Sequence, residues 1–273
     1  MKPILALSLA ACLAAACADA PPPRSPAGQT SAADLPAGTP VDLTHAYDEE
    51  TIFWPTAEGF RRITTADGLT ENGYYYASGD ITLSEHGGTH LDAPVHFAEG
   101  KWTSDEIPLE RLMGPAVVVD VSERAAGDPD YQVTAEDLQA WEAEHGPISD
   151  GTILLLRTGY GQYWPDRVRY MGTDERGPEA VAKLHFPGLH PDAARWLVEN
   201  RRIDAVGLDT PSIDYGQSQL FETHRVLFAA NVPALENVAN LDQLPETGAT
   251  VVALPMKIRG GSGGPVRIIA FVP

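Results

Sequence analysis

The stretch SEHGGTHLDAPVHFAEGKW, residues 84–102, places three of the chain's eight histidines and an aspartate within eleven positions. His86, His90, Asp92 and His96 are evenly spaced. A helix cannot present them together: Gly87, Gly88 and Pro94 interrupt it, and residues six or ten apart diverge around its axis. An extended strand can, because alternate side chains share a face. Pro94 biases Ala93 toward extended backbone. The Gly-Gly pair permits a bulge or a close backbone approach that draws His86 toward His90. The segment is therefore expected to be a strand whose four polar side chains converge on one point.

Imidazoles and a carboxylate gathered at one point need a positive charge among them, and Zn²⁺ or Mn²⁺ accepts nitrogen and oxygen donors. Thiolate ligands are excluded from the folded part. The two cysteines, Cys12 and Cys17, lie in MKPILALSLAACLAAACADA, which has one lysine, an apolar run and then small residues. That pattern fits an export signal and is too short and alanine-rich for a membrane span. LAAC ending at Cys12 and AAAC ending at Cys17 resemble a bacterial lipobox. Residues 1–18 are thus expected to be a signal peptide or lipoprotein leader, and the protein to be periplasmic, either free or held to a membrane by a lipid anchor. Residues 19–38 are rich in Pro, Ala and Ser and read as a disordered linker, since they can bury too little to offset ordering. The folded domain is expected over 39–273. The formal charge of −19 repels phosphate backbones, so no nucleic-acid partner is expected.

Seven β-rich runs follow, among them PAVVVDVS, GTILLLRTG, IDAVGLD and VRIIAFV, each flanked by Gly or Pro. Helical signals are fewer: Thr134 caps AEDLQAWEAEHG with Asp137 at the third helical position, and Pro191 opens DAARWLVENRR with Ala194, Leu197 and Val198 as its stripe. The pattern predicts an α/β domain with a mixed central sheet.

HGGTHLDAPVHF resembles the His-x-Gly-Thr-His-x-Asp-x-Pro-x-His motif of the metal-dependent cyclase family, which contains bacterial kynurenine formamidase and isatin hydrolase. VDLTHAYDEETIFWP, DEIPLERLMGPAVVVDVS, FPGLHPDAARWLVENRRIDAVGLDTPSID and THRVLFAANVPALENV resemble family segments in family order. The resemblance implies a single swivelling β/α-type domain and a homo-oligomer, a dimer or tetramer. It implies that His86, His90 and Asp92 bind one divalent ion, that Asp92 bridges to a second ion held by His224 and Glu236, and that His96 is the acid/base group. The mononuclear isatin-hydrolase branch leaves the count at one ion or two.

A divalent ion acidifies water bound to it and polarises a carbonyl, which is the chemistry of amide hydrolysis. The implied activity is a metal-dependent hydrolase of C–N bonds other than peptide bonds, acting on an aryl formamide or a cyclic amide (lactam). Trp54 occupies the place of a pocket tryptophan in the formamidase branch. Phe53, Phe60 and Tyr74–Tyr76 are further candidates for an aromatic substrate wall. A lactone hydrolase, a cyclase or dehydratase, and a lipid-tethered metal- or ligand-binding protein are the alternatives. Asp209, Ser212 and Asp214 either orient His224 or the sheet edge, or cap a turn. His45 is expected to make a structural hydrogen bond. GGSGGP, residues 260–265, lacks the lysine and helix of a phosphate loop and reads as a flexible turn.

Overall fold

The computed structural model describes residues 38–273; the expected leader, with Cys12 and Cys17, and the linker up to residue 37 lie outside the described residues. The chain enters on strand β1 (Thr39–Asp42) and then forms a ribbon, β2 (Arg61–Leu69) and β3 (Tyr75–Thr82). Strands β4 (His90–Asp92) and β5 (Met113–Asp120) lead to helix α1 (Ser122–Ala125) and strand β6 (Gln132–Val133). Helix α2 (Ala135–His145), strand β7 (Ile153–Arg157), helix α3 (Arg167–Met171) and strand β8 (Gly188–Leu189) come next. Helix α4 (Pro191–Asn200), strand β9 (Ala205–Leu208), helix α5 (Glu222–Ala229) and strand β10 (Ala234–Glu236) precede the long final strands β11 (Ala249–Pro255) and β12 (Gly263–Val272).

Local signals explain the two longest helices. Thr134 Oγ1 accepts from the Asp137 amide at 3.2 Å, and the Asp137 carboxylate accepts from the Thr134 amide at 2.8 Å, a closed capping box. Pro191 starts α4, and Ala193, Ala194 and Leu197 are its buried positions; Val198 is half-buried.

The main sheet runs β1-β12-β11-β5-β7-β9-β10-β4, and β12 also pairs with β4. That last pairing closes it: Gly263–Pro265 of β12 lie antiparallel to Asp92–His90, while the rest of β12 pairs with β1 and β11. Strands β5, β7, β9 and β10 are parallel; the other pairings are antiparallel, so the sheet is mixed as well as closed.

Alternation assigns each residue a layer. Ala116, Val118, Ile153, Leu155, Leu235, Val251 and Ile268 fill the interior of the closed sheet. Val119, Leu154, Leu156, Val206 and Leu208 face outward under Leu138, Trp141, Leu197 and Leu227 of the helices. Covered on both sides, ILLL and AVGL can be continuously apolar.

Three expectations change here. Among the described residues the ribbon pairs only with itself, and Tyr74, Tyr75 and Tyr76 at its turn and on β3 are each more than half exposed and line no cavity of this chain with the histidine cluster. GGSGGP is not a free turn, because its last residues open β12. His45 stacks face to face on Trp164 at 4.1 Å, and its buried Nε2 has no hydrogen-bond partner among the described residues.

Candidate metal centre

The motif does not form one extended strand. Only His90–Asp92 is strand; Leu91 turns into the closed sheet while His90 and Asp92 point the other way. Gly87 (φ 149°) and Gly88 (φ 58°) swing His86 back toward them, and Pro94–His96 form a 3₁₀ turn that brings His96 in from the other side. Both glycines are required. A Cβ at residue 87 would lie 2.1 Å from the Phe53 ring, and one at 88 would lie 2.6 Å from the Tyr47 ring. The rings of His86 and His90 are 5.5 Å apart, and those of His86 and His96 stack at 3.9 Å. The expected convergence forms by bends rather than by strand periodicity.

Strand register supplies Glu236, which sits directly opposite His90 across the β10–β4 pair. Helix α5 supplies His224. Asp214 accepts from the backbone amides of Thr223 and His224 at 3.2 Å and lies 2.5 Å from His224 Nδ1, so one carboxylate caps the helix and aims the imidazole. Burial works against its charge, yet His224 and those amides hold Asp214 below the ordinary carboxylate range. Asp209 has the other role foreseen for this segment: its carboxylate accepts from Thr158, Gly159 and Gly161 and fixes that loop. Glu236 Oε1 accepts from the Ile213 amide at 2.8 Å.

Hydrogen bonds decide what the cluster can hold. His90 Nδ1 lies 2.9 Å from the Gly88 carbonyl, which can only accept, so Nδ1 carries the hydrogen of the neutral ring. Its Nε2 then carries a lone pair, 3.0 Å from Asp92 Oδ1 and 3.3 Å from Glu236 Oε2, and makes no hydrogen bond among the described residues. His224 repeats the pattern. Nδ1 is committed to Asp214, and Nε2 faces Asp92 Oδ2 at 3.2 Å and Glu236 Oε1 at 3.3 Å. Lone pairs and carboxylate oxygens pointing at one another in a buried site must share either protons or a cation. Burial opposes a charged imidazole, but Asp92 and Glu236 outweigh it at His90, raising it to about 10, and Asp214, Asp92 and Glu236 outweigh it at His224, raising it well above its ordinary value. The same potential suits a divalent ion. Ligand atoms of His90, Asp92 and Glu236 lie within 4.8 Å of one another, as do those of His86, Asp92 and His96. The donor set fits nitrogen- and oxygen-liganded metal.

His96 differs from these. Burial lowers it to about 4 despite the pull of Asp92, with His86 and His224 adding to the depression, so it is neutral at neutral pH.

A cavity of about 390 Å³ opens onto the cluster, walled by Ile52, Phe53, Trp54, Phe97, Pro211 and Phe221. Phe53 and Trp54, candidates for a substrate wall, are on it. Phe60 is not on this wall; its ring leans on Tyr47 at 5.9 Å instead. Phe97 and Phe221 were not anticipated. Their rings lie 5.1 Å apart, and Phe97 is 4.6 Å from the His224 ring. Phe97 directly follows His96, which was the available clue; Phe221 becomes visible only with α5.

A family model described as "Putative cyclase" matches residues 41–215. The chain belongs to the cyclase family. An isatin hydrolase from Roseibium aggregatum is 38% identical over 210 residues, covering 74% of this chain and 77% of the relative. A kynurenine formamidase from Salinibacter ruber is 28% identical over 232 residues, covering 84% and 95%. The solved structure of isatin hydrolase A from Labrenzia aggregata bound to benzyl benzoate aligns with a TM-score of 0.77 at 36% identity, over 86% of this chain and 93% of that one. The cyclase match contains His86, His90, Asp92 and His96 but ends before His224 and Glu236. Those two reach the family motif through α5 and the β10–β4 register.

Proposed function

We propose that the chain is a metal-dependent amide hydrolase that opens an aryl formamide or a cyclic aryl amide. The carrying observation is the pair of imidazoles whose inner nitrogens face two buried carboxylates beside an aromatic-walled cavity. Similarity to an isatin hydrolase and to a kynurenine formamidase supports the C–N bond as the target. We assign the closed sheet to the swivelling β/α class, and residues 39–273 to the hydrolase domain.

His86, His90, Asp92, His224 and Glu236 would hold zinc or manganese. Asp92 belongs to both convergent groups, so it would serve one ion or bridge two. When bound, a divalent ion supplies acidified water and carbonyl polarisation. The chain's residues do the rest. His96, kept neutral by burial, accepts the proton of the attacking water and returns it to the leaving nitrogen. Trp54, Phe97 and Phe221 would stack on a flat ring and exclude water from it. The leader read from the sequence would deliver this enzyme to the periplasm, free or lipid-tethered, where a lactam taken up from outside is an accessible substrate. We expect a homo-oligomer.

The test is metal analysis of the purified protein with turnover assays on isatin, N-formylkynurenine and a simple lactone. Opening of either amide supports the reading; lactone turnover alone replaces it with an ester hydrolase. His96→Ala should keep its metal and lose roughly 10²–10⁴-fold in kcat. Undiminished turnover removes His96 from the mechanism.

A further inference from the structure

We propose that Ser262 and Glu85 are positioning residues that fix which nitrogen of His86 faces the cation. This rests on the metal centre proposed above and adds a second layer to it. His86 Nε2 lies 2.8 Å from Ser262 Oγ. Ser262 Oγ lies 2.6 Å, and its backbone nitrogen 2.9 Å, from the same Glu85 carboxylate oxygen. A carboxylate only accepts, so the Ser262 hydroxyl hydrogen is committed to Glu85. The hydroxyl oxygen can then only accept from His86, and Nε2 must be the protonated nitrogen.

The consequence is an inversion within the ligand set. His90 and His224 donate from Nδ1 and present Nε2 inward. His86 donates from Nε2 and presents Nδ1, which sits 2.6 Å from Asp92 Oδ1. Among the described residues Ser262 is the hydrogen-bond partner of His86 Nε2, so the Ser262–Glu85 pair favours that tautomer before any ion binds.

The loop is built for this contact. A Cβ at Gly263 would lie 2.7 Å from His86 Cε1 and 2.5 Å from the Leu91 carbonyl, so only glycine lets the ring rest on the backbone there. The Ser262 carbonyl accepts from the Ala93 amide at 2.8 Å, tying the loop to the end of β4. The line Ser262–His86–Asp92 has the order of a nucleophile triad, but the serine's proton belongs to Glu85 and Ser262 does not line the cavity. It positions; it does not attack.

The test uses the full chain, stripped with chelator and titrated with Zn²⁺ against a competing chromophoric chelator, alongside imidazole ¹H–¹⁵N correlation spectra of the Zn²⁺-loaded protein. Wild type should show His86 as the Nε2–H tautomer. Ser262→Ala should weaken Zn²⁺ binding roughly 10–100-fold, and Ser262→Thr, which keeps a hydroxyl, should restore most of it. Glu85→Gln should be at least as damaging as Glu85→Ala. Its amide can donate to Ser262, turning the hydroxyl toward His86 and driving the imidazole hydrogen onto Nδ1. Wild-type affinity in Ser262→Ala and Glu85→Gln, or an Nδ1–H tautomer of His86 in the loaded wild type, overturns the proposal while leaving the metal centre intact. Absence of Zn²⁺ binding by the wild type overturns the metal centre and this proposal together. Zn²⁺ binding without amide turnover overturns only the proposed reaction.

Discussion

His45 shows how one buried ring can set the acid stability of the fold. Burial beside Trp164 lowers it to about 4, with Asp42 pulling weakly the other way. In the unfolded chain it titrates near 6.5, so between those values the unfolded state holds the extra proton. Its contribution is therefore complete above about pH 6.5 and is lost as pH falls toward 4; the full effect is on the order of 3 kcal/mol. Urea midpoints at pH 7 and pH 4.5 check this: wild type should lose more stability on acidification than His45→Asn. Parallel losses would mean that the ring is protonated in the fold. Gly87 and Gly88 act at the same scale through shape alone, since the Phe53 and Tyr47 rings occupy the space of their missing side chains.

At the scale of elements, what the sequence shows is what is local. Thr134 with Asp137, and Pro191 before an apolar stripe, are signals within one turn, and both helices form where those residues put them. The even spacing of His86, His90, Asp92 and His96 correctly pointed to convergence, but through the wrong geometry, because two glycines and a 3₁₀ turn can gather side chains as a strand face does. Glu236 is brought to His90 by register between strands 146 positions apart, which no local pattern encodes; only the family resemblance reached it. Helix α5 was missed for a physical reason. It is eight residues long, it starts from Phe221 in left-handed backbone (φ 48°), and its cap, Asp214, is not adjacent in sequence. That remote cap makes a prediction about the element. Asp214→Ala frees both the first turn of α5 and the His224 ring, so Zn²⁺ affinity should fall roughly 10–100-fold and stability by about 1 kcal/mol. Chelator competition and thermal unfolding measure the two effects separately, and a stability loss with unchanged affinity would reduce Asp214 to a cap.

For the whole molecule, the cluster joins β4 and β10 of the closed sheet to α5 outside it, and it does so with two buried carboxylates that repel each other. Something must neutralise them if the sheet is to close there, and protons and metal compete for the task. In the metal-free protein His90 stays protonated up to about pH 10, above its unfolded value near 6.5. Its stabilising contribution is present below 6.5 and fades as pH rises through 10. With a divalent ion bound by these imidazoles that dependence would be absent, since they would already be unprotonated. Free Zn²⁺ at one hundred times its Kd adds about 2.7 kcal/mol, which for a body of this size raises Tm by roughly 5–10 °C. The gap between loaded and chelated protein should therefore widen from pH 6 to pH 8.5 in scanning fluorimetry. A gap that stays constant or narrows over that range would mean that these imidazoles are not the ligands, and that the closed sheet is held at this point by protons alone.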